Sequence, residues 1–389
     1  MKKTAINIIG NEQCTGCFGC YNVCPINAIE MKYDEEGFYK PNILENCIEC
    51  GKCEKVCPVI KNENSNKYIK AYGAWSNNEE ILLNSSSGGI FSELALEILN
   101  EDGVVYGVSW EKGNVKHKRI EKKEDLKELR GSKYLPSFVG NSYKEVVEDL
   151  KNNKKVLFSG TPCQIAALNK IIKNDNLITV DLICHGMPSY KSYKKYCDEE
   201  FKNPVTKVDF RSKETGWINF SLIYYTNILK NNYYYMDKFF FGFLKDIYLN
   251  EPCYECKFKG TKNGEKRVAD ITLADFWGVP KKLFNKNGVS LIITNNKKGE
   301  EIFSKIKNRI FFEEISLETG IKGNPSFYKS CIRPKERDMF YKDFDKLSFN
   351  ELSNKYFRVS SLAERKIKKV LIFPIRVLRF LKRRFIKEV

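Results

Sequence analysis

Histidine, methionine and tryptophan are scarce here, with two, five and four copies in 389 residues. Long apolar runs are missing as well. The longest near the chain's end, VLIFPI, is six residues, against the roughly 18–20 that a bilayer-crossing helix needs. A spanning helix is therefore not expected. The opening MKKTAINIIGNEQC has too short an apolar stretch for a secretory leader, which points to a cytoplasmic protein. The low hydrophobicity of disordered chains is absent too. Hydrophobic residues make up 42% and aromatics 13%, enough to bury a core in two or three domains. With so few imidazoles, any histidine chemistry rests on His117 or His185.

Cysteine is what the chain has in excess. Fourteen cysteines without an export signal argue for metal or redox use rather than disulfides. Eight of them lie between Cys14 and Cys57, in two runs, CTGCFGCYNVCP and CIECGKCEKVCP. Both fit C-x2-C-x2-C-x3-C-P, and the second starts 33 residues after the first. This internal repeat resembles the bacterial two-cluster ferredoxin pattern. By that resemblance Cys14, Cys17, Cys20 and Cys57 hold one 4Fe–4S cluster, and Cys47, Cys50, Cys53 and Cys24 hold the second. Zinc also uses C-x2-C pairs, but it has no need for a third cysteine at the same step followed by Cys-Pro, twice. Between the runs, AIEMKYDEEGFYKPNI reads as two short strands around an acidic turn. Residues 1–62 are thus the expected dicluster ferredoxin domain, and 63–69 a polar linker.

From Ala71 onward strand and helix patterns alternate. KKVLFS, PCQIAALNKIIK and LITVDLIC read as strand, helix and strand, so a partly parallel sheet is expected. Cys163 and Cys184 then fall at the carboxyl ends of neighbouring strands, where open α/β sheets gather ligands. Cys253 and Cys256 lie in PCYECKFKG. Two readings stay open on these residues: a third metal cluster beside a ligand edge, or core cysteines plus a small zinc or inert pair. Cys197 and Cys331 stand in contexts without a functional signature. In NSSSGG, small residues before a helix can turn backbone N–H groups toward an anion such as a flavin pyrophosphate. A Ser-Gly helix start is equally common without a ligand. GSKYLPS adds Ser132 and Lys133 as anion contacts.

In order, SSSGGIFSELALEIL, GSKYLPS, LFSGTPCQIAAL, DLICHGMPS, FRSKETGW and CYECKFKG…RVADITLADFWG resemble the family of beta subunits of deazaflavin (coenzyme F420) hydrogenases and dehydrogenases. The resemblance runs from about Ala71 to about Thr294. It implies a flavoprotein with FAD and a further 4Fe–4S cluster beside it. Its cluster cysteines match Cys163, Cys184, Cys253 and Cys256, and its flavin-contacting segments match Ser87, Gly88, Gly89, Ser132, Lys133 and Tyr134. The expected fold class is α+β/α/β: a bacterial ferredoxin-like dicluster domain, then a mixed α/β flavin-binding domain over 70–330 and a C-terminal extension over 331–389.

The expected function is an iron–sulfur flavoprotein oxidoreductase. It exchanges electrons with a two-electron partner, a deazaflavin or another acceptor, and with a redox partner protein or small carrier. A link to polysaccharide biosynthesis is a further expectation drawn from the resemblance. The rival expectation is a non-catalytic ferredoxin-like subunit without flavin. His185 either relays a proton to reduced flavin or packs as a hydrogen-bonded neighbour of Cys184. Asp275 is expected to make structural hydrogen bonds, while Arg211 and Trp217 match the family without a derivable role.

The charge of +17 does not call for nucleic acid. Residues Arg365–Val389 carry ten Lys/Arg and one Glu, leaving +8 elsewhere. Three clusters at about −2 each and an FAD pyrophosphate at about −2 would cancel that remainder. The tail, bent at Pro374, is read either as a peripheral anchor on an anionic membrane face or as a basic helix docked on protein.

Overall fold

The computed structural model describes residues 4–61, 66–227, 229–361 and 364. The Arg365–Val389 tail and part of the 63–69 linker lie outside the described residues.

The amino-terminal unit is built around the two cysteine runs. Each run turns through a left-handed residue, Gly16 (φ 66°) in the first and Gly51 (φ 71°) in the second. At Gly16 a side chain would also collide with the backbone, since a Cβ there would lie 2.6 Å from the Tyr39 carbonyl. Between the runs lie β1 (Ile29–Tyr33) and β2 (Tyr39–Ile43). They pair antiparallel with Ile29 opposite Ile43 and Tyr33 opposite Tyr39, as the alternating sequence around the acidic turn predicts.

The rest is centred on an eight-stranded mixed sheet. Its strands are β3 (Lys70–Ser76), β4 (Val104–Glu111), β5 (Asn114–Ile120), β6 (Val156–Gly160), β7 (Leu177–Leu182), β11 (Ile271–Asp275), β12 (Ser290–Thr294) and β13 (Ile310–Ile315). The order is β13-β3-β12-β11-β7-β6-β4-β5. The four central strands, β11, β7, β6 and β4, run parallel; the outer pairings are antiparallel. Strand periodicity divides the core. Val104, Tyr106, Val156 and Phe158 face Tyr143, Val146, Ile165 and Leu168. Val105, Leu157, Ile178 and Val180 face Leu94, Ile98, Ile302 and Phe303 on the opposite side. β8 (Lys207–Ser212), β9 (Ser221–Tyr225) and β10 (Lys230–Tyr233) form a separate three-stranded sheet.

Two features of packing go beyond the sequence reading. Phe18, Cys57 and Val59 of the ferredoxin unit belong to the same apolar cluster as Phe158 and Ile165 of the large sheet. Phe340, Phe349 and Phe357, expected in a C-terminal extension, join Phe210, Phe239 and Tyr248 in one aromatic core. Packing therefore continues across residue 330, because aromatic side chains of the helices Arg337–Asp343 and Phe349–Tyr356 have their burial partners on the helix Tyr190–Glu200 and its neighbours. No helix among the described residues is long and apolar enough to cross a membrane.

Candidate metal centres and the segments around them

Parallel strands β6 and β7 deliver Cys163 and Cys184 to one edge. After Gly160 the chain turns at Thr161 into the helix Pro162–Ile171, and the Thr161 N–H donates to Gln164 Oε1 at 3.0 Å. Proline at the first helical position needs no hydrogen-bond acceptor there. Cys163 is thereby held in the first turn, its Sγ 3.2 Å from Thr161 Oγ1. The turn Glu251–Cys253 and the loop after it bring Cys253 and Cys256 to the same place. All four cysteines line one cavity, with about 790 Å³ of empty space when its open mouth is included.

The spacing of these thiols bears on the kind of metal. In tetrahedral zinc the sulfurs sit roughly 3.8 Å apart, given Zn–S bonds of about 2.3 Å. Among the described residues no three of these four sulfurs come within 4.8 Å of one another. A cube with iron at alternate corners takes four thiolates set wider than one zinc needs, and four thiols around one cavity are a donor set of that kind. Burial pushes the Cys163 thiol up to about 12, with the neighbouring Cys184 and Cys256 adding to the rise. Burial likewise takes Cys184 up to about 11, against the pull of Lys259. Thiols so placed keep their protons near neutral pH unless a metal centre supplies the compensating charge.

In the ferredoxin unit Cys24, Cys47, Cys50 and Cys53 line a second cavity. The Ala28 N–H points at Cys24 Sγ (3.1 Å) and the Ala5 N–H at Cys53 Sγ (3.5 Å). Cys50 is the exposed member. Cys14, Cys17, Cys20 and Cys57 form another group. Burial raises the Cys20 thiol, and Cys17, Cys14 and Cys57 raise it further, as does Cys53 of the second cavity. Cys17 is raised by burial and then by Cys14 and Cys163. Packing sets the groups in succession: a Cβ at Gly19 would lie 3.7 Å from Cys17 Sγ, 3.6 Å from the Val56 carbonyl of the second run and 3.2 Å from Ala167 Cβ on the helix that carries Cys163.

Cations that the sequence reading missed lie along this line. Lys40 is buried, and its Nζ donates to the carbonyls of Asn11 (2.8 Å) and Cys14 (2.7 Å) and to Asn250 Oδ1 (3.0 Å). Burial lowers its pKa, while Cys14 and, among others, Cys253 oppose that; its bonds to the Cys14 carbonyl and to Asn250, which lines the Cys163 cavity, set the ammonium between the two thiol groups. Lys259 donates to the Cys184 carbonyl at 2.5 Å, and it lines the Cys163 cavity together with Arg267. Arg267 is itself held by a fully buried pair with Asp181. Among 66 Lys and Arg residues no local pattern marks these three.

The segments expected to hold a flavin meet each other. The Ser132 N–H and hydroxyl both reach Ser86 Oγ, at 2.8 and 3.0 Å. Ser87 Oγ donates to the Val289 carbonyl (2.7 Å), and the Gly88 N–H to Ser290 Oγ (2.9 Å). Gly88 is needed for close approach, since a Cβ there would lie 2.3 Å from the Ala74 carbonyl. Gly89, at φ 84°, leads into the helix Ile90–Asn100. Lys213 clamps this loop from outside, donating to the Leu82 and Ser87 carbonyls at 2.6 Å each. Lys133 Nζ donates to the carbonyls of Glu128, Leu129 and Arg130, capping the helix Leu126–Leu129. Tyr134 packs among Phe210, Phe240 and Phe243, its hydroxyl 3.4 Å from Arg211 Nη1. A few residues on, Pro136 and Ser137 line the Cys163 cavity.

His185 also lines that cavity. Its Nε2 is 2.6 Å from Asp246 Oδ1, and Cys331 stands beside it. Asp275 forms a buried bidentate pair with Arg211, at 2.5 and 2.9 Å, and accepts from Trp217 Nε1 at 3.1 Å. Asp275, Arg211 and Trp217 are thus joined in one structural network.

A dicluster module joined to a mixed α/β body with a further thiol cavity defines an iron–sulfur electron-transfer protein of two parts. The chain belongs to the coenzyme F420 hydrogenase/dehydrogenase family of beta subunits: residues 71–142 match the model for the beta subunit N-term, and 153–319 the model for its C terminus. Models described as 4Fe-4S dicluster domains match residues 13–60 and 43–98. The chain is 25% identical over 362 residues to a subunit of the F(420)H(2) dehydrogenase of Methanosarcina mazei, covering 81% of this chain and 97% of that protein. It is 26% identical over 368 residues to the coenzyme F420-dependent sulfite reductase of Methanocaldococcus jannaschii, covering 86% of this chain and 52% of that one. A chain of the F420-reducing [NiFe] hydrogenase complex from Methanosarcina barkeri, in a xenon-derivatised structure, aligns at TM-score 0.47 and 21% identity over 76% of this chain and 94% of that one.

Proposed function

We propose that this chain is an oxidoreductase subunit that exchanges electrons with a two-electron carrier of the deazaflavin class at the α/β body and with a one-electron protein partner at the ferredoxin end. The observation that carries the reading is the packing of the first cysteine run between the second run and the helix that bears Cys163, with Val56 of the second run and Ala167 of that helix both against Gly19. In this proposal residues 1–62 and 70–330 are the two functional units. Cys24, Cys47, Cys50 and Cys53 hold one 4Fe–4S group, Cys14, Cys17, Cys20 and Cys57 a second, and Cys163, Cys184, Cys253 and Cys256 a third. FAD binds along Ser87–Gly89 and Ser132–Tyr134, in a segment that leads directly to the third cavity. A flavin, when bound, exchanges a hydride with one partner and single electrons with the other, the conversion that joins deazaflavin to iron–sulfur chemistry.

The chain's own residues have definite tasks in this scheme. Ser86, Ser132 and Lys213 fix the loop against which a pyrophosphate would rest. Lys40, Lys259 and Arg267 offset the negative charge of cysteine-ligated clusters. The solvent-facing Cys50 edge, next to Ile48 at 62% exposure, is where a protein partner docks. The named relatives carry F420 in their names, and none of them is named for polysaccharide synthesis.

The test is anaerobic mixing of the reconstituted chain with reduced F420 or, separately, NADH, following visible absorbance and the electron paramagnetic resonance of reduced clusters. Reduced F420 is expected to generate the signals, and a Cys163→Ala chain to take up electrons at the flavin without reducing the ferredoxin clusters. Cluster reduction that proceeds unchanged in Cys163→Ala would overturn the proposed route.

A further inference from the structure

We propose that His185 Nε2, Asp246 Oδ1 and Cys331 Sγ form a binding site for a single divalent transition-metal ion, at the edge of the Cys163 cavity and separate from its four thiols. These three ligand atoms all lie within 4.8 Å of one another, unlike any three sulfurs of the proposed cluster sets. Nε2 and Oδ1 are 2.6 Å apart, and Sγ is 3.7 Å from Nε2. Bonds of about 2.0–2.3 Å to nitrogen, oxygen and sulfur put the ligands of one ion roughly 3.3–3.8 Å apart. The sulfur–nitrogen separation already has this value, and the imidazole and carboxylate need to part by well under 1 Å.

The three residues come from separate parts of the chain and are each held in place. His185 follows Cys184, whose carbonyl is fixed by Lys259 at 2.5 Å, and its ring stands edge-on to Phe243. Asp246 sits just past the helix Lys238–Leu244 in the left-handed region, at φ 62°. Glycine is the usual residue there, and a carboxylate at such a position carries backbone strain of a kind that gathers at functional sites. Its backbone is pinned on both sides: Asp246 N–H donates to the Phe243 carbonyl at 3.0 Å, and the Tyr254 hydroxyl donates to the Asp246 carbonyl at 2.5 Å. Cys331 Sγ donates to the His185 carbonyl at 3.0 Å. The preceding residue, Ser330, accepts from the Cys256 N–H at 3.0 Å.

One imidazole, one carboxylate and one thiolate make a borderline donor set, suited to zinc or iron(II) rather than magnesium or calcium. Three protein ligands leave a fourth position for water. Partial exposure, 32% for the His185 side chain and 21% for Asp246, gives the ion a route in. On binding, the Cys331 proton leaves to solvent, and the imidazole carries its proton on Nδ1 so that Nε2 presents its lone pair. The ion ties the segment that bears Cys184 to the one whose Ser330 accepts from the Cys256 N–H, beside two thiols of the third cavity. His185 in this role is a ligand, not a proton relay.

The experiment uses the full, cluster-loaded chain under anaerobic conditions. The chain is equilibrated with zinc chloride, freed of loosely held metal by gel filtration, and analysed for zinc and iron together. The wild type is expected to retain about one zinc per chain with its iron unchanged. Cys331→Ser and His185→Gln should each retain at least tenfold less zinc at the same iron content. X-ray absorption at the zinc edge of the wild type, which needs no variant to fold, is expected to give one sulfur among nitrogen and oxygen neighbours. Equal zinc in the wild type and both variants, no zinc in the wild type, or an edge spectrum of four sulfurs would each overturn the proposal.

Discussion

Asp275 shows how a residue singled out by sequence finds its role only in the fold. Its carboxylate holds both Arg211 terminal nitrogens and the Trp217 indole N–H, while the guanidinium lies over the faces of Phe220 and Trp277. The Arg211 side chain is 2% exposed. Removing one partner strands a buried charge, which costs about 3–5 kcal/mol. Asp275→Asn is therefore expected to lower the melting temperature sharply, and Arg211→Met with Asp275→Leu together to recover part of the loss. His117 offers a second test at this scale. It is buried against Phe158 and bonded to Ser137, and burial pushes its pKa from 6.5 down to about 4. The unfolded chain then binds the extra proton first, so this group's stability is fully present above pH 6.5 and falls away as pH drops toward 4. Between pH 7.5 and 5.5 the wild-type melting temperature should fall more steeply than that of His117→Gln.

At the scale of elements, what was legible depended on whether the ligands are close in sequence. The ferredoxin cysteines lie in short repeated runs, so spacing alone assigned them a chemistry and the hairpin between them a shape. Cys163 and Cys184 could be placed at strand ends because β6 and β7 follow each other as a crossover pair. Their joining with Cys253 and Cys256 could not, since it depends on the return of the chain after the three-stranded sheet; only the family resemblance suggested it. Lys40 and Lys259 were invisible because lysine is everywhere in this chain, and Cys331 because its neighbours stand 146 and 85 positions away. That Lys133 caps a helix was not legible, because a capping lysine and an anion-binding lysine look alike in sequence. Gly88→Ala tests the loop packing. Its Cβ meets the Ala74 carbonyl at 2.3 Å, so a stability loss of about 1–3 kcal/mol is expected, with flavin retention on gel filtration reduced alongside.

The molecule as a whole is held together where electrons would pass between its parts. The Tyr143 hydroxyl lies between the Cys17 carbonyl (2.9 Å) and the Gln164 carbonyl (3.1 Å), joining the ferredoxin run to the helix that carries Cys163. Lys40 joins the ferredoxin run to the turn that carries Cys253, through Cys14 and Asn250. Removing a buried cation beside anionic centres disfavours their reduced, more negative state. Lys40→Met should therefore move the midpoint potentials of the neighbouring clusters to more negative values in a redox titration, while a surface lysine variant leaves them in place.

The most direct measurement of the central claim is the iron, sulfide and flavin content of the anaerobically purified chain, set beside that of Cys163→Ala. Three clusters and a bound flavin predict about twelve irons and one flavin per wild-type chain, falling to about eight irons in the variant. A wild type with about eight irons and no flavin, unchanged by the substitution, would contradict the account.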